Sequence, residues 1–586
     1  MSWPPFSPTA AVRRRPAVRL NQMGYPRWAR KVATVLCLEQ EPQDFVVEDR
    51  DGREVLAGMT RPWPARPEPT SGFTLHLVDF STVKGEGSGY RVRVGELVSH
   101  AFPLGANPHA ELADEALHVF RLMRSGDAVP EEFGAHARPA GHLGVAPNTG
   151  DTAVPAWTGP EASALYPGWT CPGTFDVSGG WYDAGDHGKY VTSGSTALWQ
   201  LLMTLDLLGD LLPSSTREAL VEECHWQLEW VCRMQVPTGS PLAGMAFHKV
   251  HGTTWSPLPG LPHVDPTVRV LHRPSTSATW HLAAVAAQGA RVLRAFDRSC
   301  AVPLLATARR AAAAVAAHPH LAAPAGGSQF GGGPYGDADT TDDEYWATVE
   351  LWLAGRSSED LTRLQRSPWH HAEVFSPLGF DFDAMAAPAR LDLSLHGTSL
   401  EEKESVDESV VVAAERLVRL QEQQAWGQPY APDAGWTWGS NGRLLNNLVV
   451  IAVGHHLAPG RVAATAVAEG LDHVLGRNAL GQCYVTGFGV DDSRRQRTRL
   501  FGQALDPALP PPPRGALAGG ANSVPSPGFH YDDRLRGLPP QWCYLDEPTS
   551  EVTNDVCIRW NAALVFVAAW LAAQTRARNG PAAPST

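Results

Sequence analysis

The chain has 586 residues, 43% apolar and 19% charged, which excludes disorder throughout and at this length points to two domains rather than one core. Acidic residues outnumber basic ones by 61 to 48, and the net charge of −13 excludes a phosphate-backbone partner, so no nucleic acid is expected. No basic amphipathic segment marks a membrane surface, and the longest apolar run, NAALVFVAAWLAA at 561–573, is too short to cross a bilayer and reads as a core helix. The opening segment MSWPPFSPTAAVRRRP lacks the apolar core of an export signal, which predicts a cytoplasmic protein, or a secreted one if a leader precedes it. Eight cysteines, at 37, 171, 224, 232, 300, 483, 543 and 557, include no CxxC pair and read as reduced, mostly buried thiols.

Residues 1–16 read as a disordered tail. From 17 to 105, short runs such as KVATVLCL, FTLHLVDFS and GYRVRVG alternate apolar and polar side chains between turn residues, predicting a small antiparallel β-sandwich. After FPLGANPHAEL the apolar spacing changes to three and four. Segments including TALWQLLMTLDLLGDLL, SATWHLAAVAAQGARVLRAF, ESVVVAAERLVRLQEQQ and CIRWNAALVFVAAWLAAQ predict helices, assigned to one all-α unit over 106–577. Long Gly/Pro-rich connections between them suggest a helical barrel or toroid with a loop-built functional face, and no fixed-period repeat marks a solenoid. Residues 578–586 read as a second disordered tail.

Among the loops, DVSGGWYDAGDHGKYV (176–191) sets Asp183 and Asp186 three apart beside glycines, aromatics and a lysine. Glycine permits tight turns and close backbone approach, so the pair reads either as a chemical site or as a solvated Asx-type turn.

This stretch resembles the signature of glycoside hydrolase family 9, the inverting cellulases. Similar stretches follow in the same order, among them YGDADTTDDEYWATVELWL, WTWGSNGRLLNN, LDHVLGRNALGQCYVTGFG, GALAGGANS and TNDVCIRWNAALV. The 17–105 module likewise resembles the immunoglobulin-like domain found before the catalytic domain in one branch of that family. The resemblance spans about residues 17–575 and implies a multidomain protein, an all-β immunoglobulin-like sandwich followed by an (α/α)6 barrel with an open cleft for a β-1,4-linked oligo- or polysaccharide. An inverting hydrolase of this kind needs one ionised carboxylate to activate water and one protonated carboxyl opposite it.

By position in the motif, Asp186 matches the catalytic base and Asp183 the aspartate that helps hold the water. The acid departs from the pattern, because the family's glutamate aligns with Asp555, one methylene shorter; Glu551 is the nearest substitute, with a surface carboxylate as its plainer reading. The family's His-His-Arg element has no counterpart here. VDDSRRQRTRLFG follows YVTGFG with no histidine between Gly489 and Gly528, leaving Arg494, Arg495 or Arg497 to reach a sugar hydroxyl or to form a solvated basic turn. Trp181, Tyr190, Trp438 and Trp560 are the candidate sugar-binding aromatics, each equally readable as core.

DADTTDDEYW offers Asp337, Asp339, Asp342, Asp343 and Glu344, and the similar stretch in the family contributes to a structural calcium site. Asp342 and Asp343 are the candidate ligands, with an acidic helix N-terminus as the alternative, and catalysis itself is expected to need no cofactor. The expected activity is inverting hydrolysis of β-1,4-glucans or short cello-oligosaccharides. An exo-acting β-glucosidase or exo-β-D-glucosaminidase on imported oligosaccharides, and a weakly active or inactive carbohydrate-binding pseudoenzyme, stand as alternatives.

Overall fold

The computed structural model describes residues 14–105, 107–324 and 330–579. Most of both expected tails lies outside this range. Residues 14–16 depart from that expectation, because the Arg15 guanidinium donates to Leu480 O and Gln482 Oε1, both at 2.9 Å. Residues 578 and 579 extend the last helix rather than a tail.

Nine antiparallel strands build the sandwich: β1 (Val18–Arg19), β2 (Val32–Leu36), β3 (Asp44–Glu48), β4 (Glu54–Met59), β5 (Arg61–Pro62), β6 (Leu75–Asp79), β7 (Gly87–Val94), β8 (Leu97–Val98) and β9 (Phe102–Leu104). One sheet has the order β1-β2-β6-β5, and the other β4-β3-β7-β8 with β9 also on β7. Strand side chains alternate between faces. On β3 this gives the expected in-and-out pattern, but β2 is buried along its whole length. Ala33 and Val35 face the opposite sheet with Val47, Val78 and Val92, while Val32 and Leu36 join Trp63, Phe73 and Leu75 in the core of the helical unit. Along β2 the sheet therefore has no solvated outer face.

Twelve α-helices of nine residues or more, among the described residues, form the second unit: α1 (Pro108–Met123), α2 (Val191–Leu208), α3 (Ser214–Arg233), α4 (Thr276–Val292), α5 (Ala301–Ala317), α6 (Thr341–Gly355), α7 (Ser358–Arg366), α8 (Ala386–His396), α9 (Lys403–Glu422), α10 (Ser440–Leu457), α11 (Ala464–Val474) and α12 (Ile558–Asn579). Burial separates them into two rings. The even-numbered helices are buried around nearly their full circumference, and α12 packs on α2, α2 on α4, α4 on α6 and α6 on α8. An outer helix such as α9 buries only one stripe, with Val406, Val410, Ala413, Ala414, Leu417 and Gln421 at three and four spacing. Alternation of inner and outer helices gives the expected (α/α)6 barrel. Periodicity did not predict α6, α7 or α8. Inner helices α6 and α8 bury Asp342, Asp343, Glu350, Arg390 and Asp392 among apolar neighbours, so no polar stripe marks a solvent side.

Arg477 ties the two units. Its guanidinium is fully buried and donates to Glu469 Oε1 (2.8 Å) from α11, Thr34 Oγ1 (3.1 Å) from β2, and Ala425 O (3.3 Å). Glu469 also pairs with Arg30 at 2.9 Å, so removing Arg477 leaves the carboxylate one partner while the Thr34 and Ala425 oxygens lose a buried donor. Arg477→Ala is expected to cost about 1–3 kcal/mol, read as a lower urea midpoint, and an unchanged midpoint would show that the contact contributes nothing to stability.

Candidate active site

The loop entering α2 is shaped by the absence of side chains. A Cβ on Gly185 would sit 2.5 Å from Arg497 O and 2.7 Å from Asp555 Oδ1, and one on Gly188 would sit 2.5 Å from Asp186 Oδ2. These contacts lie well inside van der Waals separation, so only glycine lets the Asp186 loop meet the segments carrying Arg497 and Asp555.

Asp186 turns its Oδ2 toward the Gly188 N–H (3.0 Å) and the Tyr190 hydroxyl (2.8 Å). Asp183 lies behind it, buried, accepting hydrogen bonds from the Ser193 hydroxyl and from the Tyr335 hydroxyl at 2.5 Å. Burial pushes the Asp183 carboxyl up to about 6, Arg559 opposes the rise and Asp186 adds to it. Arg559 in turn holds Asp381 and donates to Ser193 Oγ at 2.8 Å, completing a chain of buried polar groups that reaches the cleft wall at Tyr335, Asp381 and Arg559.

Asp555 is reached from the far end of the sequence. The short helix Glu551–Asn554 stops there, Asp555 is extended (φ −66°, ψ 161°), and α12 begins three residues later. The extended segment is held on several sides: Ile558 N–H donates to Asp183 O, Arg497 N–H to Asn554 O and Gly519 N–H to Asp555 O, each at 2.9 Å. The Gly185 N–H then donates to the Asp555 side chain, Oδ1, at 3.1 Å. Burial raises the Asp555 carboxyl well above the usual carboxylate range; Arg497 lowers it, while Asp186 and Glu551 reinforce the rise.

Asp186, Asp555 and Glu551 line one cleft of about 670 Å³. Arg497 lies on its wall, with its guanidinium 2.8 Å from Glu551 Oε2 and donating to Pro548 O. Glu551 is therefore a partner of Arg497 rather than a free surface carboxylate. Arg494 is largely exposed and pairs with Asp492, leaving it outside the cleft lining, as is Arg495. Arg499, two residues beyond Arg497, lines the cleft instead: it donates to Ser256 O and Gly185 O, both at 2.9 Å, and packs over Trp255.

Of the four candidate aromatics, Tyr190, Trp438 and Trp560 line the cleft. Trp560 is seated directly on backbone, since a Cβ on Gly442 would lie 2.2 Å from its ring. Trp438 stands edge-on to Phe529, with centroids 4.9 Å apart. Trp181 is a correction. It is buried on α3, its indole N–H donating to Glu223 Oε2 (2.9 Å) and its ring against Phe120, because a buried indole N–H needs an acceptor and finds one in the core. Tyr335, 4.4 Å from the Tyr190 ring, and with it Trp255, Phe382 and Phe529, are cleft aromatics that the sequence reading missed.

At the start of α6, Asp337, Asp342 and Asp343 bring carboxylate oxygens within 4.8 Å of one another, all buried. Asp337 Oδ2 and Asp343 Oδ2 have no hydrogen-bond partner among the described residues, and burial with mutual repulsion lifts Asp337 to about 8. Hard, crowded, unpartnered oxygens fit a divalent cation of the calcium type. Asp339 and Glu344 stand apart, bonded to Thr341 and Arg363.

A family model described as glycosyl hydrolase family 9 matches residues 109–568, and one described as a cellulase N-terminal Ig-like domain matches 13–99. The chain belongs to glycosyl hydrolase family 9. Relatives of this family-9 chain include endoglucanase C of Cellulomonas fimi, 42% identical over 97% of the chain, and a cellulose 1,4-β-cellobiosidase of Acetivibrio thermocellus, 32% identical over 96% of the chain and 68% of that protein. The chain spans 53% of the length of endoglucanase C. A metagenome-derived family-9 endoglucanase of known structure superposes with a TM-score of 0.81 at 27% identity, covering 95% of this chain and 99% of that one.

Gly185→Ala is expected to destabilise the protein by about 1–3 kcal/mol, the range for overpacking a closed site. Gly209→Ala, whose Cβ meets only Leu205 Cδ1 at 3.6 Å, serves as the control. Equal thermal midpoints for the two variants would show that the Gly185 contact is not a constraint.

Proposed function

We propose that this family-9 chain hydrolyses β-1,4-glycosidic bonds of glucans or short cello-oligosaccharides with inversion, Asp186 acting as base and Asp555 as acid. The observation that carries the reading is the Asp555 carboxyl, hydrogen-bonded to the residue preceding Asp186 on the wall of the same cleft and held toward its protonated form by burial. Such a group can deliver a proton to a leaving glycosidic oxygen at neutral pH. The Gly188 N–H and Tyr190 hydroxyl fix one oxygen of Asp186 and stabilise its charge, and Oδ1 is left to take the proton of the attacking water. Asp183, fixed by Ser193 and Tyr335, orients the loop from behind. Cellulose-directed relatives support a β-1,4-glucan as substrate.

Asp337, Asp342 and Asp343 are proposed to hold a structural calcium ion. The ion would neutralise buried carboxylates at the N-terminus of an inner helix and take no part in bond cleavage.

Asp186→Ala and Asp555→Asn are each expected to lower kcat by about 10²–10⁴-fold with oligosaccharide affinity largely kept. Proton NMR of wild-type turnover should show the α-anomer first; a β-anomer appearing first would overturn the inverting assignment. Because Asp555 must be protonated, kcat should fall as pH rises through its raised pKa, and Asp555→Glu should move that alkaline limb. An unmoved limb would assign the acid elsewhere.

The calcium reading also has a signed pH test. Asp337 and Asp342 have native pKa values of about 8 and about 6 against 3.8 as the ordinary value, so the metal-free native state binds more protons than the unfolded chain. These two carboxyls should therefore contribute most to metal-free stability below about pH 4 and progressively less as pH rises toward 8, and calcium at a hundredfold excess over Kd should restore about 2.7 kcal/mol at the upper end. A thermal midpoint indifferent to calcium at pH 8 would count against the site.

A further inference from the structure

A strap of chain, residues 330–335, borders the cleft and serves both carboxylates of the Asp186 loop. The Gly333 N–H donates to the Tyr190 hydroxyl (2.9 Å), which donates to Asp186 Oδ2, and the Tyr335 hydroxyl donates to Asp183 Oδ2. The strap has little room to shift. A Cβ on Gly331 would lie 2.3 Å from Gly252 O, and Phe330 and Tyr335 are both held in the left-handed region, at φ +48° and +47°.

Two consecutive residues hold the other edge of this strap. His248 Nε2 donates to Pro334 O at 3.1 Å, and the Lys249 ammonium donates to Gly333 O at 2.6 Å. Lys249 opens the strand Lys249–Gly252 and pairs in antiparallel register with Tyr190 of the strand Lys189–Tyr190, so the two side chains share one face. The ammonium accordingly lies 5.9 Å from the centroid of the Tyr190 ring, whose hydroxyl meets Asp186. Holding the strap needs only a hydrogen-bond donor. A full positive charge is destabilising in a fully buried position unless an opposite charge faces it, and the carboxylate that acts on this ammonium is Asp186.

We propose that Lys249 is a positioning residue for hydrolysis: its ammonium clamps the strap at Gly333 and sets a positive charge against the Asp186–Tyr190 pair. The inference rests on the reading of Asp186 as the base. Other titratable groups packed around Lys249 do not duplicate that charge. Burial pushes His248 down to about 3 and pushes His251, on the same strand, and His272, after the strand Arg269–Leu271, well below the ordinary histidine value, so all three stay neutral. Tyr190 and Tyr335 are raised well above the ordinary phenol value and stay neutral too. Lys189 and Arg269 turn to Asp151, each at 2.8 Å, and Asp183 is answered by Arg559. Burial lowers Lys249 itself to about 7 while Asp186 opposes the fall, so the ammonium is charged throughout the acid range in which a carboxylate base gains its proton. Without that charge the carboxylate is easier to protonate, and the acid limb of kcat/KM moves to higher pH.

The test compares the full chain with Lys249→Met, Lys249→Gln and Lys249→Arg on a soluble cello-oligosaccharide. In Lys249→Met, which removes donor and charge, the acid limb should rise by at least about half a pH unit and kcat should fall about tenfold, with KM changed less than about threefold. Lys249→Gln keeps a donor for the Gly333 carbonyl, so the limb should rise as far with a smaller loss of kcat. Lys249→Arg keeps the charge, and the limb should stay in place. A lysine that only braced the fold would lower kcat and the thermal midpoint in these variants with the limb unmoved, which overturns the proposal; a limb displaced equally in Lys249→Arg overturns it as well. Should Lys249→Met fail to fold, Lys249→Gln is read by the same criterion. Asp186→Ala, assayed alongside, separates the two readings: turnover kept there overturns the base assignment itself, whereas turnover lost there with an unmoved limb in the lysine variants overturns the role of Lys249 alone.

Discussion

One hydrogen bond, from the Gly185 N–H to Asp555 Oδ1, joins positions 370 residues apart and sets the architecture of the cleft. It requires a glycine on one side, an extended residue on the other, and the abrupt end of the Glu551–Asn554 helix so that Asp555 faces the loop instead of the solvent. The barrel exists, from this standpoint, to bring the entry of α2 and the entry of α12 side by side, which it does by packing the two inner helices against each other.

Charge is arranged around that contact so that neighbouring carboxyls differ. Asp183 and Asp555 are both desolvated, yet Arg559 restrains the first and Arg497, already shared with Glu551, restrains the second less completely. Backbone and tyrosine donors serve Asp186 instead of a salt bridge, leaving it accessible in the cleft.

The pattern of the chain revealed the two units and the loop that carries the paired aspartates, because strand and helix periods differ and because glycine flanking acid is a local signal. Asp555 was legible only through a resemblance in residue order, since nothing in TNDVC announces that the helix breaks there. Arg499 escaped because a run of basic and polar residues reads as a solvated turn until its hydrogen bonds to the Ser256 and Gly185 carbonyls are known. Trp181 was misplaced for a general reason: an aromatic beside a functional residue is one peptide step away from facing the opposite direction. The three inner and peripheral helices α6, α7 and α8 were missed where burial on all sides, or shortness, removed the contrast on which periodicity depends.

The sheet β1-β2-β6-β5 has apolar side chains on both faces, one set completing the sandwich and the other completing the barrel. The boundary near residue 106 is thus a boundary of chain topology and not of hydrophobic interior. A gene-level exchange that transplanted either unit alone would carry away half of a common interior, so the two segments are expected to be inherited, and to diversify, as a single piece.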